Sequence, residues 1–174
     1  MRLNDAVTLI KTELFYTTGK TVWADLGCGS GLFTYALGSL LHPGSTIFAI
    51  DKKPAIQYSV LSNSVLINPV EADFEKYNFH FGKCDGMLMA NSIHYVKDKT
   101  SFINRLKKYL NENASFLIVE YDTDEAVATW VPYPLSFDSL QTLFRTAGYS
   151  NIQKIGNHPS VYGNGNMYAA VVRK

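Results

Sequence analysis

Val22-Trp23-Ala24-Asp25-Leu26-Gly27-Cys28-Gly29-Ser30-Gly31-Leu32-Phe33 decides the fold: an apolar run ends in an acid, three alternate glycines follow, and a helical pattern begins. Residues 22–26 offer β-branched and aromatic side chains for a buried strand. Gly27, Gly29 and Gly31 remove the Cβ atoms that would hold a ligand off the backbone. Phe33, Ala36, Leu37 and Leu40 then recur at helical spacing, so the glycines open a helix whose unbonded N–H groups face the turn. Such a turn suits a ligand with phosphate, carboxylate or ribose groups, although it can also serve only to join a strand to a helix.

A dinucleotide fingerprint, GxGxxG, would put its third glycine at Leu32, whereas the spacing here is GxGxG. NAD is therefore the weaker ligand, and a nicotinamide-dependent enzyme the runner-up. Residues 45–50 form a second apolar run ending in Asp51, which stands 24 residues after Gly27. That is close to the roughly 20 expected of an acid that accepts from a ribose in a βαβ unit. Together these elements predict an adenosine-containing ligand.

With these residues in place, the chain resembles the class I S-adenosylmethionine-dependent methyltransferases. Their first motif, D/E-x-G-x-G-x-G, is present in full as Asp25-Leu26-Gly27-Cys28-Gly29-Ser30-Gly31. The resemblance continues through Asp51, through Glu71-Ala72-Asp73-Phe74, where the family has an acid on the adenine amine, and through the fourth strand, Cys84-Asp85-Gly86-Met87-Leu88-Met89-Ala90-Asn91. It implies S-adenosylmethionine as cofactor, S-adenosylhomocysteine as product and no metal. The implied cofactor residues are Asp25, Gly27, Cys28, Gly29, Ser30, Gly31, Asp51, Lys52, Asp73, Phe74, Ala90 and Asn91. By that resemblance Asp25 fixes the turn and faces the methionine moiety, Asp51 takes the ribose hydroxyls, and Asp73 with Phe74 holds the adenine.

Strands and helices alternate along the chain. Helices are expected over 3–15, 32–41, after Pro54, over 100–110 and over 137–147, the last capped by Ser136 and stopped by Gly148. Strands are expected over 21–26, 45–50, 65–70, 86–90, 114–121, 152–155 and 167–172, the last two joined by a hairpin around 157–166. This alternation predicts an α/β, Rossmann-like, doubly wound and mainly parallel sheet. The resemblance makes it the seven-stranded class I methyltransferase sheet with an antiparallel last strand.

The 174 residues, 47% hydrophobic and 18% charged, suit one domain spanning 1–174, with 1–20 as an N-terminal helix and cap. There is no long apolar run and no signal-peptide core, so a cytoplasmic protein with no membrane partner is expected. A net charge of +1 without a basic tail argues against nucleic acid. Lys52, Lys53, Arg105, Lys107 and Lys108 read as solvated charges. Cys28 and Cys84 make neither a disulfide framework nor a metal cluster.

Methyl transfer is an in-line displacement that needs alignment, exclusion of water and sometimes a base. His94, after the fourth strand, is the candidate base, the alternative being a histidine bonded within its own loop. Tyr95, Tyr121, Trp130 and Tyr133 are the candidate acceptor contacts, the last two on a proline-stiffened stretch that could equally pack on the core. Asn91-Ser92-Ile93-His94 stands where nucleic-acid and glutamine amino methyltransferases carry Asn/Asp-Pro-Pro-Tyr/Phe, which disfavours adenine or amide acceptors. A small-molecule acceptor is expected, with a thin cap that a bulky acceptor or a homodimer partner could complete. A non-catalytic protein binding an adenosyl ligand or a partner is the alternative from another class.

Overall fold

The computed structural model describes residues 1–16, 19–160 and 165–174. The helices are α1 (Leu3–Ile10), α2 (Leu32–Leu40), α3 (Lys99–Leu106) and α4 (Phe137–Thr146). The strands are β1 (Val22–Leu26), β2 (Thr46–Asp51), β3 (Ser59–Val60), β4 (Leu66–Glu71), β5 (Cys84–Ala90), β6 (Leu110–Tyr121), β7 (Asn151–Pro159) and β8 (Asn166–Arg173). They form one sheet in the order β3-β4-β2-β1-β5-β6-β8-β7. β4, β2, β1, β5 and β6 pair in parallel, while β8 runs antiparallel to both β6 and β7. This is the doubly wound sheet with its antiparallel last strand, extended to eight strands by the two-residue β3, antiparallel to β4.

Alternate strand residues feed two cores, as the two-residue period of a sheet buried on both faces requires. Trp23, Ile47, Leu88 and Leu117 pack beneath α1 and α2. Met87, Met89, Phe116 and Ile118 pack on the other face, beneath α3 and α4. Ser136 Oγ accepts from Ser139 N (3.2 Å) and gives α4 its N-cap, and Gly148 follows at φ 85°.

Three expected elements differ. The helix expected over 3–15 stops at Ile10, because Thr12 restarts the chain: its carbonyl accepts from Phe15 N (3.3 Å) and its Oγ1 from Leu14 N (3.5 Å). The restart is a 3₁₀ turn over Glu13–Tyr16 that sets Phe15 5.8 Å from Trp23. No helix follows Pro54. Ala55 N donates instead to Gly29 O (3.0 Å), pinning the segment across the glycine turn, and a tight turn at Ser64 (φ 64°) returns the chain as β3 and β4. The helix expected over 100–110 ends at Leu106, a 3₁₀ turn takes Lys107–Tyr109, and β6 begins four residues before its expected start.

Arg105 is no solvated charge. Its guanidinium donates to Tyr77 O (2.9 Å) and Phe74 O (2.7 Å) and lies over Phe102 at 5.3 Å. It clamps the aromatic connection between β4 and β5 against the sheet. In the hairpin expected around 157–166, Ser160 N donates to Gly165 O (2.9 Å), and residues 161–164 lie outside the described residues. No helix among the described residues is long and apolar enough to cross a membrane.

Candidate active site

The glycine turn leaves β1 at the carboxyl end of the sheet, where a parallel α/β fold places its ligands. Gly27, Gly29 and Gly31 have φ of 87°, 51° and 84°, values that L side chains rarely adopt. Their surroundings differ. A Cβ on Gly27 would stand 2.6 Å from Ser92 Cβ, so protein already fills that space. A Cβ on Gly29 would meet nothing within 4 Å among the described residues. The turn is packed at Gly27 and open at Gly29.

Asp51, at the end of β2, holds the turn in shape. Its Oδ2 accepts from Gly29 N (2.9 Å) and its Oδ1 from Lys53 N (3.0 Å), while Gly27 N and Cys28 N both donate to Ile50 O. A carboxylate has about four lone-pair sites, so each oxygen can still accept from a ligand hydroxyl. Asp25 is buried. Thr34 Oγ1 donates to its Oδ2 (2.6 Å), and Oδ1 has no partner among the described residues. Burial pushes this carboxyl up to about 7, with the Thr34 hydrogen bond opposing and the Asp51 charge adding to the rise. Cys28 is buried as well, and burial holds its thiol at about 12, so it is protonated and unreactive near neutrality.

Asp73 takes Lys52 Nζ on its Oδ2 (3.3 Å), with Lys76 at 3.8 Å, and its Oδ1 accepts from Glu75 N (3.1 Å). Lys52 thus reaches Asp73 rather than open solvent alone. Phe74 is buried and packs edge-on to Phe102 at 5.9 Å, one ring edge lying at the glycine turn. Ser30 is exposed on the turn, and Ala90 closes β5.

Asn91 follows at φ 52°, with N donating to Val119 O (2.8 Å) and a buried Oδ1 without partner among the described residues. The next residue, Ser92, ties β5 to the glycine turn by donating Oγ–H to Leu26 O (2.6 Å). Asn91 also lines a cleft of about 910 Å³, so the cleft begins one residue before the serine that reaches the turn.

His94, Tyr95, Tyr121 and Trp130 line that cleft too. Tyr133 does not; its backbone N donates to His94 O (3.0 Å), so it braces the histidine's loop. His94 is buried, with Nδ1 2.8 Å from Glu120 Oε2 and its ring tilted against that of Tyr95, the centroids 4.4 Å apart. Glu120 is itself fully buried at the end of β6. Both Glu120 oxygens also accept from backbone N–H groups, Oε1 from His94 N (3.4 Å) and Oε2 from Tyr121 N (3.3 Å), and with the carboxyl group accepting from the imidazole as well, the proton of the pair sits on Nδ1. Nε2 is then a lone-pair acceptor, buried and without partner among the described residues.

Glu120 escaped the sequence reading, although its signal is visible: it is the one charge closing the apolar run Phe116-Leu117-Ile118-Val119. Thr34 and Ser92 escaped for want of any local signal. Among the described residues, no group of three or more His, Cys, Asp or Glu could hold a metal ion.

The sequence profile described as a methyltransferase domain matches residues 24–118, from Ala24 in β1 to Ile118 in β6. No protein of curated function matches the chain by sequence. Solved structures match its fold. The plantazolicin methyltransferase BpumL in complex with SAH superposes with TM-score 0.67 at 14% identity, over 99% of this chain and 83% of that one. The 1,6-didemethyltoxoflavin-N1-methyltransferase of Burkholderia thailandensis, with bound 1,6-didemethyltoxoflavin and S-adenosylhomocysteine, gives 0.70 at 18%, over 99% and 77%. Phosphoethanolamine N-methyltransferase 2 of Haemonchus contortus, in complex with phosphomonomethylethanolamine and S-adenosylhomocysteine, gives 0.71 at 13%; this chain spans 52% of its length.

Proposed function

The chain belongs to the methyltransferase domain family, and from that premise we propose that residues 1–174 form one S-adenosylmethionine-dependent domain that methylates a small-molecule acceptor in the cytoplasm. The observation that carries this reading is the glycine turn: open at Gly29, held by Asp51, and joined at Asn91 to a cleft beside a buried histidine. The residues present fit the cofactor. Gly29 admits a ligand against the backbone, Asp51 keeps lone pairs for ribose hydroxyls, and the unpaired Oδ1 atoms of Asp25 and Asn91 await polar partners. Asp73, with Lys52 beside it, stands at the adenine side.

When bound, S-adenosylmethionine supplies an electrophilic methyl group on its sulfonium. The chain's own work is to hold the acceptor in line and to take its proton. His94 takes it on Nε2, while Glu120 accepts from Nδ1 and stabilises the positive charge that forms. Tyr95 and Tyr121 flank the imidazole at 4.4 and 6.3 Å, keeping water from Nε2.

Calorimetric titration with S-adenosylmethionine, S-adenosylhomocysteine and NAD tests the reading. Micromolar binding of both adenosyl ligands, worth about −8 kcal/mol, with none for NAD is the expected result. Silence from the adenosyl ligands would reduce the family membership to a shared fold.

A further inference from the structure

The cleft is walled by aromatic rings and carboxylates. Tyr95, Tyr121 and Trp130 line it together with Asp122 and Glu125, and no lining residue is Lys or Arg. The stretch 161–164 carries neither residue in its sequence. Lys99 and Lys154 are already engaged. Lys99 Nζ donates to Val96 O (3.0 Å) and Tyr133 O (2.7 Å), and Lys154 Nζ pairs with Asp122 Oδ2 at 2.8 Å.

The acids are not equivalent. Asp122 is neutralised by Lys154, and its Oδ1 accepts from Phe137 N (2.9 Å). Asp124 spends both oxygens at the start of α4, on Ser136 N and Oγ and on Ser139 Oγ. Glu125 alone is exposed, lines the cleft and forms no ion pair among the described residues. Its backbone N–H is anchored on Thr123 Oγ1 at 3.0 Å.

Trp130 sits on a tight turn. Val127 and Val131 exchange two backbone hydrogen bonds (3.1 and 2.8 Å) across a turn that forces Thr129 to φ 78°. A β-branched residue pays for that conformation only where surrounding structure imposes it, as at ligand clamps. The turn presents Trp130, two-thirds exposed, at the cleft.

We infer that the cleft selects a flat aromatic acceptor bearing a cationic amine, with its ring against Tyr95 and Trp130 and its ammonium against Glu125, and that it rejects anionic analogues. The inference rests on the reading of this cleft as the acceptor site. Ring faces attract cations, an unpaired carboxylate adds to that attraction, and the same carboxylate repels an acid. A phosphorylated or carboxylated acceptor would find no Lys or Arg among the described residues that line the cleft.

Three isosteric probes test it by calorimetry on the full chain: 2-(1-naphthyl)ethylamine, 2-(1-naphthyl)ethanol and 1-naphthylacetate. The amine should bind at least about tenfold more tightly than the acid, with the alcohol between them. Glu125→Gln should bring the amine to the level of the alcohol, Trp130→Ala should weaken all three, and neither should change affinity for S-adenosylhomocysteine. An acid that binds as well as the amine, or a preference that survives Glu125→Gln, would overturn the inference. So would absence of binding by all three probes in protein that binds S-adenosylhomocysteine, with the cofactor reading left standing. An intact amine preference in protein that fails to bind S-adenosylhomocysteine would support the inference and overturn the cofactor reading alone.

Discussion

The glycine turn and the cleft are linked through Asn91 and Ser92, one lining the cleft and the next reaching the turn, yet they are made of different materials. The turn is backbone: three left-handed glycines, two amides on one carbonyl, and one carboxylate holding the loop from the next strand. The cleft is side chains, brought together from the end of β5, the end of β6 and the loop before α4. Backbone can offer the same groups to one ligand whatever the neighbouring side chains, whereas side chains can change with the acceptor. The difference predicts that damage to the turn abolishes cofactor binding, while damage to the cleft spares it.

The largest expected effect tests the turn from within. Gly29→Val should cost at least 100-fold in S-adenosylhomocysteine affinity, about 2.7 kcal/mol, with a stability loss limited to the strain of the left-handed backbone, about 1–3 kcal/mol. Gly27→Val, where Ser92 fills the space, should instead destabilise the fold by about 3 kcal/mol or more in chemical denaturation. Equal loss of stability in both would erase the distinction between a packed and an open glycine.

On the cleft side, His94→Ala should lower kcat about 10²- to 10⁴-fold with cofactor affinity intact, once an acceptor is in hand. Glu120→Ala strips the histidine of its buried partner, and such deletions cost about 3–5 kcal/mol of stability. Unchanged turnover in His94→Ala at every pH would remove it as the base.

Asp25 sharpens the comparison through pH. Its folded carboxyl titrates at about 7, against about 3.9 in an unfolded chain. Between those values the folded protein keeps a proton that the unfolded chain has lost, so stability falls as pH rises through this window and levels off above it. Asp25→Asn should flatten that slope, raising stability at pH 8 relative to pH 5 by about 1–3 kcal/mol compared with the parent. The smallest effect belongs to Lys52→Ala, an exposed pair worth about 0–1 kcal/mol, read as a slight loss of S-adenosylhomocysteine affinity.

The same contrast explains what could be read from sequence. The strand, glycines and second acid lie within thirty residues, and their periods and spacing carry local rules, so β1, α2, β2 and a mainly parallel sheet are legible there, whereas the antiparallel last strand is implied only by the family resemblance. Glu120 meets His94 only because β5 and β6 pair in register across 26 residues, information that no local period holds. Tyr133 reads as an acceptor contact because it is aromatic and follows a proline; its backbone bond to His94, which no local pattern signals, braces the loop beside the cleft. The helix expected after Pro54 failed for the same reason: a single amide reaching Gly29 O outweighs a local preference. Arg105 looked like a surface charge because its partners are carbonyls, which leave no mark on composition.

The most direct measurement is amide chemical-shift mapping by NMR during titration with S-adenosylhomocysteine. The account predicts shifts at Gly27, Gly29, Gly31, Asp51 and Asn91, with the loop carrying Glu125 and Trp130 little moved. Shifts confined to that loop, or none at the glycine turn under saturating ligand, would contradict it.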